Sequence, residues 1–91
     1  MLYVTDLLWD ERNLEHIARH NVTRYEVEEV CYSDPFVRRA RNQLLAVFGQ
    51  SDGGQYLVVF LARRGRGTYY PVTARDMTEA ERRTYHRAQG G

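Results

Sequence analysis

The chain has 91 residues, 43% of them hydrophobic, and carries 13 arginines and 12 carboxylates for a net charge of +1 at neutral pH. One domain is expected over residues 1–91, and no apolar run approaches the roughly 20 residues that a membrane-spanning helix needs. The single cysteine excludes an internal disulfide, and the start of the chain lacks the basic and apolar regions of a signal peptide, so a cytoplasmic protein is expected.

The first predicted helix follows a short N-terminal strand. Asp10 is its predicted N-cap, because a carboxylate there accepts hydrogen bonds from the free N–H groups of the first turn. The helix is expected over 11–19, and Trp9, at the corner before it, is expected to anchor the core. Three residues on one side of this helix form its predicted buried face: Leu14, Ile17 and Ala18.

The second predicted helix has a clearer start signal. Thr23 and Glu26 have the spacing of a capping box, in which the two side chains satisfy each other's backbone N–H groups. The helix is expected to end at Asp34-Pro35, because the residue before a proline avoids the α region. Its apolar stripe consists of Val27, Val30 and Cys31. The lone cysteine is therefore expected in the core.

Residues 43–50 and 55–62 predict two central strands. Both segments are rich in β-branched and aromatic residues and apolar on both faces, which indicates strands covered on each side. The four residues between them, Ser51-Asp52-Gly53-Gly54, have the composition of a hairpin turn. The two strands are therefore expected to pair with each other.

A loop of glycine and arginine, residues 63–67, is expected to lead into a further strand over 68–75. Pro71 lies within this strand and cannot donate a ladder hydrogen bond. An edge position or a β-bulge is therefore expected at Pro71.

The final predicted helix opens with a second capping box, Thr78 to Glu81, and is expected to run to Arg87, with 88–91 frayed. Helices precede and follow the strands, so the helices are expected to pack on the sheet. The elements predict an α+β fold: an antiparallel sheet of about four strands with two N-terminal helices and one C-terminal helix.

The charges divide unevenly along the chain. Residues 1–34 carry three arginines against eight carboxylates, a net charge of −5, whereas residues 35–91 carry ten arginines against four carboxylates, a net charge of +6. Genome composition can explain the absence of lysine but not this clustering. Guanidinium groups hold phosphates through paired hydrogen bonds, so the second segment predicts a surface that binds a polyanion.

Several short sequence fragments between residues 9 and 85 form a pattern through their order and spacing. They are Trp9-Asp10-Glu11, Asn13, His16-Ile17, His20, Val22, Glu28-Glu29-Val30, Asp34-Pro35, Leu57-Val58-Val59, Arg64-Gly65, Thr73-Ala74-Arg75, Glu81-Arg82 and Tyr85. In order and spacing these fragments resemble the BrnT toxins of bacterial type II toxin–antitoxin systems, and the resemblance covers residues 7–86.

The resemblance implies a RelE-like fold and a ribonuclease that inhibits translation. The RNA that it cleaves is either free RNA or RNA bound to the ribosome. It also implies a BrnA-like antitoxin, through which alone the complex would bind operator DNA. One departure concerns the first helix, where Arg12, His16 and Arg19 stand in place of the lysines usual in the family. Arginine stabilises charge but does not release a proton near neutral pH.

Metal-free RNA cleavage requires activation of the ribose 2′-OH, stabilisation of an anionic phosphorane and protonation of the 5′-oxygen. Arg75 is the first candidate for the stabilising role, because it lies between a strand and a capped helix start, where a side chain is held rigidly. Arg82, one turn into that helix, is expected to face the same place. The competing interpretation is a surface ion pair of Arg75 with Asp76 or Glu79.

The glycine–arginine loop is a candidate RNA-binding element. Arg64 is added to the catalytic candidates, and Arg63 and Arg66 are expected to bind RNA. The competing interpretation is a plain solvated loop. Tyr69 and Tyr70 offer rings of the kind that stack on unpaired bases, but alternation along a strand directs one of them inward.

Three histidines are the side chains that titrate near neutrality. His16 and His20 lie four residues apart, but Ile17 stands where a zinc protease motif needs glutamate, so no metal or cofactor is expected. His20 is assigned to the C-terminal end of the first helix, where a positive charge is favourable. His16 is kept as a candidate for proton transfer, and His86 is a weaker one.

Two further functions fit the same sequence. A RelE-fold protein without catalysis would act only through a protein partner. Alternatively, the arginines of one copy would pair with the acidic first segment of another and form a homodimer, which salt would dissociate without any RNA present.

Overall fold

Three helices and five strands form the part of the chain that the computed structural model describes, residues 4–90. Residues 1–3 and 91 lie outside the described residues. The prediction about a signal peptide at the start of the chain and the prediction of a frayed end at 88–91 fall partly on these residues. No helix within 4–90 is long and apolar enough to span a membrane. The elements are β1 (Asp6–Leu7), α1 (Glu11–Ala18), α2 (Arg24–Tyr32), β2 (Phe36–Arg39), β3 (Leu45–Gln50), β4 (Tyr56–Gly65), β5 (Thr68–Asp76) and α3 (Glu79–Ala88).

The five strands form one sheet in the order β1-β5-β4-β3-β2. Strands β2 to β5 are an antiparallel meander, whereas β1 pairs in parallel with β5. The α+β class is confirmed, but the sheet is mixed and has five strands rather than about four. The additional strand is β2, which at four residues is too short for its alternation to be recognised in the sequence.

The sheet separates two apolar clusters, as the alternation of side chains along a strand requires. On one face, residues of α1 and α2 cover the central strands, with Ile17, Val27, Val30 and Cys31 packed among Val47, Leu57, Val59 and Leu61. On the other face, Met77 and Tyr85 pack against Ala46, Phe48 and Val58. The expectation that the two central strands are covered on both sides is therefore confirmed. Burial raises the pKa of the Cys31 thiol to about 12, which makes it an unreactive core residue.

All three helices begin with a capping box, as two of them were predicted to do. The boxes of α2 and α3 are the predicted pairs Thr23–Glu26 and Thr78–Glu81. Asp10 caps α1 as expected, and its reciprocal partner is the Asn13 side chain. Asn13 is 1% exposed, whereas Ala18, which the sequence assigned to the buried face, is exposed and Leu14 is half-buried.

Two bulges shape the β4–β5 hairpin. The pairing shifts register between Phe60 and Leu61, opposite Pro71, which confirms the bulge expected there. A second shift lies between Arg63 and Gly65, so Arg64 is the extra residue of β4. The predicted glycine–arginine loop is therefore wrong in extent, because the strand ladder continues to Gly65 and leaves a short turn before β5.

The turn between β2 and β3 contains two successive residues with positive φ, Asn42 at 58° and Gln43 at 62°. Leu44 N donates to the carbonyl of Arg41 across this turn at 3.1 Å, so β3 begins later than the predicted residue 43. Two positive φ angles are the pattern of a tight hairpin turn that favours Asn-Gly.

We therefore predict that Gln43→Gly raises the free energy of unfolding by about 0.5–1 kcal/mol, because glycine relieves the strain of the left-handed conformation. Urea unfolding of the purified protein measures this change. Gln55→Gly is the matched control: Gln55 is also exposed and has no positive φ, so glycine there is expected to destabilise. Equal effects of the two substitutions would contradict the prediction.

Candidate nucleic-acid interface

The face of the sheet that carries α3 also carries a set of arginine–aromatic pairs. The register places Phe36 beside Phe48, Phe48 beside Val58, and Val58 beside Arg75, so this row crosses four strands. Each guanidinium lies over a ring, at these distances to the ring centroid: Arg38 over Phe36 at 5.5 Å, Arg64 over Tyr70 at 5.3 Å, Arg75 over Phe60 at 5.5 Å and Arg82 over Tyr56 at 4.3 Å. We call these eight residues the arginine–aromatic face.

Arg75 is held at the junction of β5 and α3 by a paired interaction with Glu81. Its two terminal nitrogens donate to the two carboxylate oxygens at 2.8 and 3.0 Å, and Nη1 also donates to the backbone carbonyl of Asp76 at 3.0 Å. The same Glu81 accepts the backbone N–H of Thr78 at 2.8 Å as part of the capping box. The surface partners that the sequence suggested for Arg75, Asp76 or Glu79, are thus replaced by Glu81, whose carboxylate both caps α3 and orients Arg75.

This pairing shifts both groups toward their charged forms. The hydrogen bonds from Arg75 hold the pKa of Glu81 below its ordinary 4.5, and the hydrogen bonds to Glu81 raise the pKa of Arg75. A carboxylate whose pKa is lower in the folded state stabilises the fold above its unfolded pKa and loses that contribution as the pH falls.

We predict that the wild type loses more stability than Glu81→Gln between pH 7 and pH 3, with the difference arising below the unfolded pKa of about 4.5. The glutamine variant lacks the titrating group, so its stability near neutral pH is lower but less dependent on pH. Urea unfolding at a series of pH values measures both slopes. Parallel curves for the two proteins would show that the Arg75–Glu81 pair contributes nothing to acid sensitivity.

Three of the predicted catalytic side chains, Arg64, Arg75 and Arg82, lie on the arginine–aromatic face. Tyr70, beside Arg64, donates from its hydroxyl to both carboxylate oxygens of Asp10 at 3.1 and 3.0 Å. Burial first, and the hydrogen bond to Asp10 second, raise the pKa of Tyr70. The N-terminal end of α1 is thereby joined to this edge of the face.

The other predicted RNA-binding residues lie elsewhere. Tyr69 is 6% exposed in the core beneath the N-terminal helices, so it offers no ring for stacking. Arg63 pairs with Tyr69 across the strands and is directed to that same side of the sheet, and Arg66 is exposed in the hairpin turn. Tyr70 is therefore the one tyrosine of the pair on the arginine–aromatic face, in agreement with the alternation expected.

His16 is not brought together with the arginines. It is exposed on α1, which packs on the opposite face of the sheet through Ile17, and within residues 4–90 no hydrogen bond or ion pair joins it to Arg64, Arg75 or Arg82. His86 instead lies with its ring 5.3 Å from that of Tyr56, the ring that Arg82 covers. The spacing of four residues between Arg82 and His86 on one helix was the signal that could have identified this neighbour.

The described residues contain no group of three or more histidine, cysteine or carboxylate side chains that could hold a metal ion. The arrangement is that of an α+β domain with a basic, aromatic sheet face, a class of surface suited to single-stranded nucleic acid. No protein-family model matches the sequence, and no curated protein or solved structure matches it either.

Proposed function

We propose that this protein is a RelE-like ribonuclease toxin, similar to BrnT toxins, that cleaves RNA without a metal and inhibits translation. The observation that carries the proposal is the arginine–aromatic face, where four guanidinium groups cover four rings on one side of the sheet. Arginines that track a phosphate backbone, together with rings that stack on bases, are the two elements of single-strand binding. The order of the fragments that resemble BrnT supplies the reaction class.

Arg75 has the leading role in this proposal. Its guanidinium is fixed by Glu81 before any substrate binds, so little reorganisation is needed when charge develops on the phosphorane. Two of its N–H groups, on Nε and Nη2, are not used in the three contacts to Glu81 and Asp76 and remain for a phosphate oxygen. Arg64 and Arg82 would hold neighbouring phosphates or bases.

His86 replaces His16 as the proposed proton carrier, because its ring contacts the arginine–aromatic face. We predict that His86→Gln lowers the rate of RNA cleavage, whereas His16→Gln leaves it unchanged. Single-turnover cleavage rates of the two variants measure this difference. Equal rates for the two variants would assign proton transfer to another group.

The proposal includes a cytoplasmic location and a BrnA-like antitoxin that covers the arginine–aromatic face. Its acidic side chains would pair with arginines that lie exposed or half-exposed, among them Arg64 and Arg82. Operator DNA would be bound by the antitoxin within the complex and not by this chain.

A second candidate is a binding module without catalysis. The observation that favours it is the pairing of Arg75 with both Glu81 oxygens, which partly neutralises the arginine on which the catalytic proposal depends. Under this alternative the face binds RNA or a protein partner, but no RNA is cleaved.

Cleavage of a defined RNA by the purified protein in excess EDTA separates the two candidates. Products ending in 2′,3′-cyclic phosphate, together with growth arrest on induced expression, are expected for the toxin. Arg75→Ala purified in the same way controls for contaminating nuclease. Salt-dependent RNA binding with intact RNA and normal growth would establish the binding module instead.

A further inference from the structure

A small cleft opens between the edge of the sheet and α3, next to Arg75. Its volume is about 180 Å³ and it is lined by Phe36, Arg38, Phe48, Ala80, Glu81 and Thr84. The cleft is continuous with the arginine–aromatic face, because Glu81 is the residue that holds Arg75. At well below the 300–1,000 Å³ typical of sites for larger ligands, about 180 Å³ suits a single ring system.

Aromatic carbon forms one wall of the cleft. The rings of Phe36 and Phe48 lie with centroids 5.7 Å apart and planes tilted by 39°, and Phe36 is only half-buried. The facing wall is the first turns of α3, where Ala80 leaves room. An aromatic wall of this kind offers a planar ring a surface for stacking, the mode in which proteins hold unpaired bases.

The polar groups of the cleft are complementary in hydrogen bonding. The guanidinium of Arg38 has only donors; it lies over the Phe36 ring, and within residues 4–90 it makes no side-chain hydrogen bond or ion pair. Glu81 has only acceptors when ionised, as its lowered pKa keeps it at neutral pH. Its Oε1 accepts from both Arg75 and Thr78, whereas Oε2 accepts one bond and retains a free lone pair.

We propose that this cleft binds one unpaired base of the RNA and prefers guanine, so that it sets the sequence preference of the site. Guanine presents the O6 and N7 acceptors that arginine favours, which Arg38 would contact, and an N2 amino donor for the free lone pair of Glu81. This inference rests on the proposed function, since it assigns the base next to the phosphate held by Arg75. The occupant is a base of RNA, and a free nucleotide serves as its probe.

The test is binding of 5′-GMP, AMP, CMP and UMP to the folded wild type, followed by NMR. We expect GMP to bind most tightly and to shift the resonances of Phe36 and Thr84. Ala80→Leu fills the cleft without removing a side-chain contact and is expected to weaken GMP binding by about tenfold, the order of one base–aromatic stack. Ala88→Leu, the same exchange at an exposed position of α3 outside the cleft, is expected to bind as the wild type does.

Equal binding of the four nucleotides, or equal effects of Ala80→Leu and Ala88→Leu, would overturn the base site even if the wild type cleaves RNA. GMP-selective binding that Ala80→Leu removes supports the base site even if RNA stays intact, in which case the ribonuclease proposal alone fails. Phe36→Leu keeps an apolar side chain at this position but removes a stacking surface, so unchanged GMP affinity in this variant would also contradict the proposal.

Discussion

Arg75→Ala is expected to lower the rate of RNA cleavage by about 10²- to 10³-fold and to relieve growth arrest, the order found when one preorganised donor to a developing anion is removed. The reason is its position: the guanidinium lies over Phe60 and is oriented by two hydrogen bonds to Glu81 before substrate binds. Single-turnover cleavage with saturating protein measures the chemical step separately from binding.

The salt dependence of RNA affinity is an independent test of the contact between Arg75 and a phosphate. If Arg75 neutralises one phosphate, the slope of log affinity against log salt becomes less steep by about 0.7 in Arg75→Ala. The control is Arg83→Ala, which removes the same charge from an exposed ion pair with Glu79 at 3.5 Å. This exposed pair contributes little to stability, and Arg83 lies outside the arginine–aromatic face, so cleavage is expected to be unchanged.

Misfolding must be separated from loss of chemistry, because Arg75→Ala leaves the half-buried Glu81 carboxylate without its partner. The double variant Arg75→Ala/Glu81→Gln removes both charges, and the glutamine oxygen still serves the capping box. We expect this variant to recover stability but not cleavage. Full cleavage by a folded double variant would exclude Arg75 from the catalytic machinery.

The helices could be predicted from the sequence because their signals are local. Thr23 with Glu26, and Thr78 with Glu81, identify helix starts through residues only three positions apart. The two-residue strand β1 pairs with β5 across about sixty residues of chain, and no local pattern encodes that contact. Its parallel direction was therefore outside the reach of sequence reasoning.

In the candidate site, too, some features could be predicted from the sequence and others depend on long-range contacts. The clustering of arginine identified Arg64, Arg75 and Arg82, because the charge of a segment can be read directly from the sequence. Their contact partners could not be predicted in this way, because strand register and the packing of α3 bring the rings and the Glu81 carboxylate to these arginines. Tyr69 and Tyr70 show the limit clearly: alternation predicts that one points inward, but only the register decides that it is Tyr69.

Asn13→Ala is expected to lower the free energy of unfolding by about 1–3 kcal/mol, a large loss for a single polar substitution. Asn13 is 1% exposed. Its Nδ2 donates to the carbonyl of Leu8 at 2.9 Å, and its Oδ1 accepts the backbone N–H of Asp10 at 2.9 Å. Alanine would leave both backbone groups without these partners, and each lost partner costs about 1–3 kcal/mol when the group stays buried.

The consequence extends beyond α1, because the segment that Asn13 fixes connects β1 to that helix. Asp10, within the segment, also accepts the Tyr70 hydroxyl at the edge of the arginine–aromatic face. Thermal and urea unfolding measure the loss, and about 1 kcal/mol corresponds to a 4–8 °C change in Tm for a domain of this size. Glu15→Ala is the control, because among residues 4–90 the carboxylate of this exposed residue of the same helix pairs with exposed Arg19 alone. A loss no larger than that of Glu15→Ala would mean that water replaces the Asn13 amide, and that the capping box of α1 is held by Asp10 alone.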